Sequence, residues 1–110
     1  NHAGFYEMQA LTVGRLVRAV ALETGLSTAA ITCPMRTGPV VRARDAVIWL
    51  ARRLTNRSLA QIGEALGGRD HSTILTAICR AEHRRDTDPA FRLLTDRLLA
   101  RFQEEISSWA

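Results

Sequence analysis

Two adjacent glycines, Gly67-Gly68, separate two stretches whose apolar residues recur at helical spacing, and this constrains the fold more than any other feature of the chain. Glycine enters the left-handed backbone region without steric cost, so the pair predicts a sharp stop between two helices. Upstream, Ser58-Leu59-Ala60-Gln61 is a capping-box pattern, in which serine and glutamine satisfy each other's free backbone donors. It opens a short helix with Leu59, Ile62 and Leu66 inward. Downstream, a second helix is predicted from about Asp70 to Arg84, with Ile74, Ala77, Ile78 and Ala81 inward. A short capped helix, a glycine turn and a second helix make a helix-turn-helix over Ser58 to Arg80.

The rest of the chain reads in the same way. A first helix runs from the capping residue Thr12 to Thr24, with Val13, Leu16, Val17 and Val20 on one face and Gly25 at its end. Ser27 caps a short second helix through Ile31, and Pro34, Gly38 and Pro39 mark the following connection as a loop. A third helix, Val40 to Leu54, places Ala43, Val47, Leu50, Ala51 and Leu54 at core spacing, with Arg42, Arg44, Arg52 and Arg53 elsewhere on the wheel. Asp88 and Pro89 occupy the cap and first turn of a last helix whose apolar stripe is Phe91, Leu94, Leu98 and Phe102. Strand alternation, internal repeats and low-complexity tracts are absent from the sequence. The expected fold is a compact all-α domain of about six helices. Residues 11–106 form the domain, and residues 1–10 are an N-terminal extension in which part of Asn1-His2-Ala3 is read as a tag remnant.

Charge points to the same region. All fifteen basic residues are arginine. Ten of them lie between Arg36 and Arg85 against four acids, a local net of +6, while the remainder of the chain carries −2. A positive field concentrated in this way suits contact with phosphates. No apolar run approaches the ~20 residues of a membrane span, and no signal peptide is visible, so the chain reads as cytoplasmic; contact with phosphates would make it nucleoid-associated. Cys33 and Cys79 lack framework spacing and are expected to be small buried hydrophobes. Cys79 and His83 share a helical face, but no further ligands are spaced for zinc, so no metal is expected.

The exposed start of the second helix carries the chemistry. Its free N–H groups and partial positive charge attract phosphate, and polar side chains there reach base edges in the major groove. Asp70 can accept from a base amino group, His71 can donate to a purine or lie against a thymine methyl, and Ser72 and Thr73 offer hydroxyls. Asp70 reads equally as an N-cap, and its two oxygens allow both roles. Gly63-x-x-x-x-Gly68-Arg69-Asp70 has the glycine spacing of a phosphate-binding P-loop. It offers Arg for Lys and Asp for Ser or Thr, and it follows a helix rather than a strand, so nucleotide binding is rejected. No catalytic arrangement is visible, and neither an enzyme, a cofactor nor a small-molecule substrate is expected.

Leu54-Thr55-Asn56-Arg57-Ser58-Leu59-Ala60-Gln61-Ile62-Gly63, followed by Gly67-Gly68-Arg69-Asp70-His71-Ser72-Thr73-Ile74-Leu75, closely resembles the C-terminal DNA-binding domain of the bacterial replication initiator DnaA. The similarity extends over about Leu11 to Phe102. The resemblance implies that Arg42 reaches into the minor groove and Arg52 contacts phosphate, as do groups around Ser58 to Gln61. It implies that Arg69, Asp70, His71, Ser72 and Thr73 form the base-reading and backbone-gripping end. Arg44 and Arg80 complete the residues expected at DNA. The implied target is an asymmetric DnaA-box-like duplex bound by a monomer. Departures are a loop, Thr32 to Val41, with Arg36 as its only basic residue, Ala43-Arg44-Asp45 where the family often has Pro or Arg-Gln, and Ser72 where many members have threonine. No ATPase module is present, so the chain is either an excised initiator domain or free-standing, and the weakened loop favours the latter. The alternative of another class is a basic helical protein-interaction module without sequence preference.

Overall fold

The computed structural model describes residues 11–108, so the extension over residues 1–10 lies outside the described residues. Six helices follow one another: α1 Val13–Thr24, α2 Thr28–Thr32, α3 Gly38–Leu54, α4 Leu59–Ala65, α5 His71–Thr87 and α6 Pro89–Ser108, with no strand among the described residues. Capping residues set most of the ends. The Thr12 side chain accepts from the Arg15 N–H at 3.2 Å, Ser27 from Ala30 at 3.1 Å, and Asp88 from Phe91 at 3.1 Å. Gly25 closes α1 with φ 78°. Two boundaries differ from the sequence expectation. α3 begins at Gly38 because Pro39 sits in its first turn, where the missing N–H has no intrahelical partner to lose. α5 continues to Thr87, with Asp88 serving both as its end and as the cap of α6.

α3 is the axis of the molecule and packs against all five other helices. Its residues 43–51 are buried without interruption, the pattern of a helix enclosed on every side rather than on one stripe. The core closes around it with Leu16 and Val20 of α1, Ile31 of α2, Ile62 of α4, Ile74, Ala77 and Ala81 of α5, and Phe91, Leu98 and Phe102 of α6. Leu54, Leu59 and Ile78, expected inward, are only partly buried against this core.

Polar contacts lock the helices in register. The guanidinium groups of Arg53 and Arg85 lie over the Trp49 indole of α3, 4.4 and 4.2 Å from its ring, and the indole donates to Glu82 at 3.0 Å. Arg85 in turn donates to Thr95 at 2.6 Å and to Asp96 at 2.7 Å on α6. The Trp49 hydrogen bond, with Arg53 beside it, holds the Glu82 carboxyl below its usual range. One network thus joins α3, α5 and α6.

Candidate nucleic-acid interface

The turn between α4 and α5 is built around one carbonyl. Gly63 O accepts from the N–H groups of Leu66, Gly68 and Arg69 at 3.1, 3.1 and 2.9 Å. The chain returns so closely that a Cβ on Gly63 would stand 1.9 Å from Arg69 O. Gly67 and Gly68 carry φ values of 87° and 82°, as the left-handed turn requires. Gly67 also passes beneath Thr32 O of α2, where a Cβ would meet it at 2.6 Å. In the sequence Gly63 belongs to the rejected P-loop spacing and to the family-like stretch; its role is this close approach.

Before the turn, Ser58 and Gln61 form the expected capping box, with Ser58 Oγ accepting from Gln61 N at 3.1 Å and Gln61 Oε1 from Ser58 N at 2.8 Å. Both residues stay exposed. After the turn, Asp70, His71, Ser72 and Thr73 are all exposed at the start of α5. Asp70 Oδ1 accepts from the Thr73 N–H at 2.9 Å, so the N-cap role is realised. That hydrogen bond lowers the Asp70 pKa and keeps the carboxylate ionised. The carboxylate itself stays exposed.

Thr73 opens onto a groove of about 640 Å³ between α5, α3 and the α2–α3 connection, with Arg36, Arg44, Arg69 and Arg80 among its walls. These four arginines are in different situations. Arg44, only 7% exposed, donates to the carbonyls of Ile31 at 2.7 Å, Cys33 at 2.8 Å and Met35 at 3.0 Å. Burial, with the Arg69 charge nearby, pushes its pKa down. Arg69 reaches the same place from the turn, donating to Thr32 O at 3.1 Å, Cys33 O at 2.8 Å and Leu66 O. The two guanidinium groups thereby satisfy the free carbonyls at the end of α2 and clamp it to the α4–α5 turn. Arg80 forms a two-pronged pair with Asp45, at 2.7 and 2.8 Å.

Three arginines expected at DNA are therefore engaged with other groups of the protein. Arg44 is bound to backbone, Arg80 is bound to Asp45, and Arg42 is paired with Asp88 at 2.9 Å and lies 5.5 Å from the Phe91 ring. Residues two apart on a helix point about 200° apart, so Arg42 cannot share the face of Arg44. It borders a separate hollow with Leu26 and Leu93. Arg69 stands at the recognition end but uses its donors to hold the turn. Arg52 continues the Arg44–Ile48 stripe of α3 by one turn and is exposed. Arg36, missing from the expected set, is exposed in the groove; like Arg52 it makes no hydrogen bond or ion pair among the described residues. Its isolation as the only cation of its loop was the available signal. Cys79 is exposed rather than buried, and Cys33 is partly buried with its Sγ 3.3 Å from Ala30 O. Among the described residues no group of three or more side chains could hold a metal ion, and no helix is long and apolar enough to cross a membrane.

Residues 13–80 match a family model described as the bacterial dnaA protein helix-turn-helix. The chain is 41% identical over 80 residues to the chromosomal replication initiator protein DnaA of Caulobacter vibrioides (strain NA1000 / CB15N), covering 73% of this chain and 16% of that protein. It is 32% identical over 93 residues to the protein of the same name from Thermodesulfovibrio yellowstonii, covering 84% of this chain and 21% of that one. The corresponding protein of Rhodopseudomonas palustris (strain BisA53) is 35% identical over 98 residues, which is 89% of this chain and 21% of the relative. The chain thus spans between 16% and 21% of the length of these relatives.

Proposed function

The chain belongs to the bacterial DnaA helix-turn-helix family, and from that membership we propose that it binds double-stranded DNA sequence-specifically, in a role linked to chromosomal replication initiation or its regulation. The observation that carries the reading is the open start of α5, where Asp70, His71, Ser72 and Thr73 stand exposed together beside the arginine-walled groove. A helix start presented in this way enters the major groove, and its polar side chains meet base edges. Arg36 and Arg52 hold the strand alongside.

One α5 per chain fits a monomer on an asymmetric duplex site of the DnaA-box kind. The domain acts by binding, and no reaction is assigned to it. Its place is on the bacterial nucleoid. Selection of bound sequences from a random duplex pool tests the reading. Enrichment of one asymmetric site is expected; uniform recovery of all sequences would leave the basic protein-interaction module in its place.

A further inference from the structure

Asp45 has no part in reading bases, yet it is the fully buried carboxylate of α3 and both of its oxygens face α5. Oδ2 accepts from Arg80 Nε at 2.7 Å and from Arg84 Nε at 3.1 Å, while Oδ1 accepts from Arg80 Nη2 at 2.8 Å. Two parallel N–H bonds to paired oxygens are the arrangement that a guanidinium also offers to a phosphate. The Arg80 side chain is still 43% exposed and looks into the groove that Thr73 and Arg36 border. Arg84 lies one turn further along the same helix, with 27% of its side chain exposed.

We propose that Asp45 is a built-in counter-anion that occupies Arg80 and Arg84 in place of DNA phosphate, weakening the sequence-independent grip of α5 and leaving binding more dependent on base contacts. The proposal rests on the DNA-binding reading and deepens it. To reach a phosphate, Arg80 would have to leave a buried carboxylate short of its two-pronged partner. Stripping a buried charge costs more than an exposed ion pair returns, so Arg80 stays. Non-specific affinity comes almost entirely from phosphate neutralisation, and the ratio of specific to non-specific binding decides occupancy among competing sites. A carboxylate that withholds two cations from phosphate raises that ratio.

The test is titration of the full chain and of Asp45→Asn against the selected duplex and a scrambled one, across a salt series of about 50 to 200 mM. Folding of each variant is checked by circular dichroism. Removing the Asp45 charge frees one or both arginines. The fall of log affinity with log salt should then steepen by roughly 0.9 to 1.8, with the scrambled duplex gaining more than the selected one. An unchanged or shallower slope overturns the proposal. Should Asp45→Asn fail to fold, Arg80→Gln decides: an unchanged slope is expected, and a slope shallower by about 0.9 would mean that Arg80 already meets a phosphate. A native chain with no duplex preference would sink the DNA-binding reading itself, whereas a native preference combined with a shallower Arg80→Gln slope sinks only the role of Asp45.

Discussion

At Gly63 the absence of a side chain is a geometric requirement, because the Arg69 carbonyl already occupies the position a Cβ would take. Gly63→Ala must push the turn open. We expect a loss of about 1–3 kcal/mol in denaturant unfolding, the usual range for forcing a methyl into filled space, together with loss of specific DNA binding. Asp70 poses a different question, since its carboxylate caps α5 and yet stands exposed at the helix start. Asn caps about as well as Asp but presents an amide where the carboxylate could accept from a base. Asp70→Asn should therefore leave the melting temperature unchanged while reducing discrimination between the selected and scrambled duplexes roughly five- to 150-fold, the worth of one good base contact. Equal losses on both duplexes would leave Asp70 with the capping role alone. The sequence made the cap and the double glycine legible, because both are local chemistry. It did not show the need at Gly63, which depends on where Arg69 arrives after the turn.

Among the elements, α3 departs furthest from its sequence reading. Helical spacing placed Arg44 on an outer face, but residues 43–51 are enclosed on all sides and carry Arg44 and Asp45 inside with them. The signal was present: between Asp45 and Ala51 the run Ala46-Val47-Ile48-Trp49-Leu50 contains no polar residue, as a helix buried all round requires. The partners of the two buried charges could not be read, because Ile31, Cys33 and Met35 lie on α2 and its connection, and Arg80 and Arg84 on α5. Contacts between helices also set the acid response. Glu82, tied to Trp49, and Asp88, bonded first to Arg42 and then to the Phe91 N–H, both have lowered pKa values. A carboxylate whose folded pKa is depressed contributes stability that is fully present above its unfolded value and is lost as pH falls through the folded one. Unfolding by denaturant between pH 7 and pH 3 should show a plateau down to the ordinary carboxylate values of 4.5 and 3.8, then a decline. Glu82→Gln should flatten part of that decline.

On the scale of the whole molecule, the concentration of charge in residues 36–85 was visible in the sequence, but its availability was not. Of the ten arginines there, only Arg36, Arg52 and Arg57 have side chains without a hydrogen bond, ion pair or ring contact among the described residues. The others are committed to Asp45, Asp88, Glu82, Asp96 or backbone carbonyls. Counting ten arginines predicts strong electrostatic binding; counting the two placed beside the helix start, Arg36 and Arg52, predicts a slope of log affinity against log salt of about −1.8 for the native chain, measurable by titration of a labelled duplex. The same separation of duties holds at the recognition end. Gly63, Arg69 and Ile74 hold the turn, while His71 and Ser72 stand exposed, with no side-chain hydrogen bond among the described residues. A substitution at either position can therefore change what the helix start reads while the architecture that delivers it stays the same.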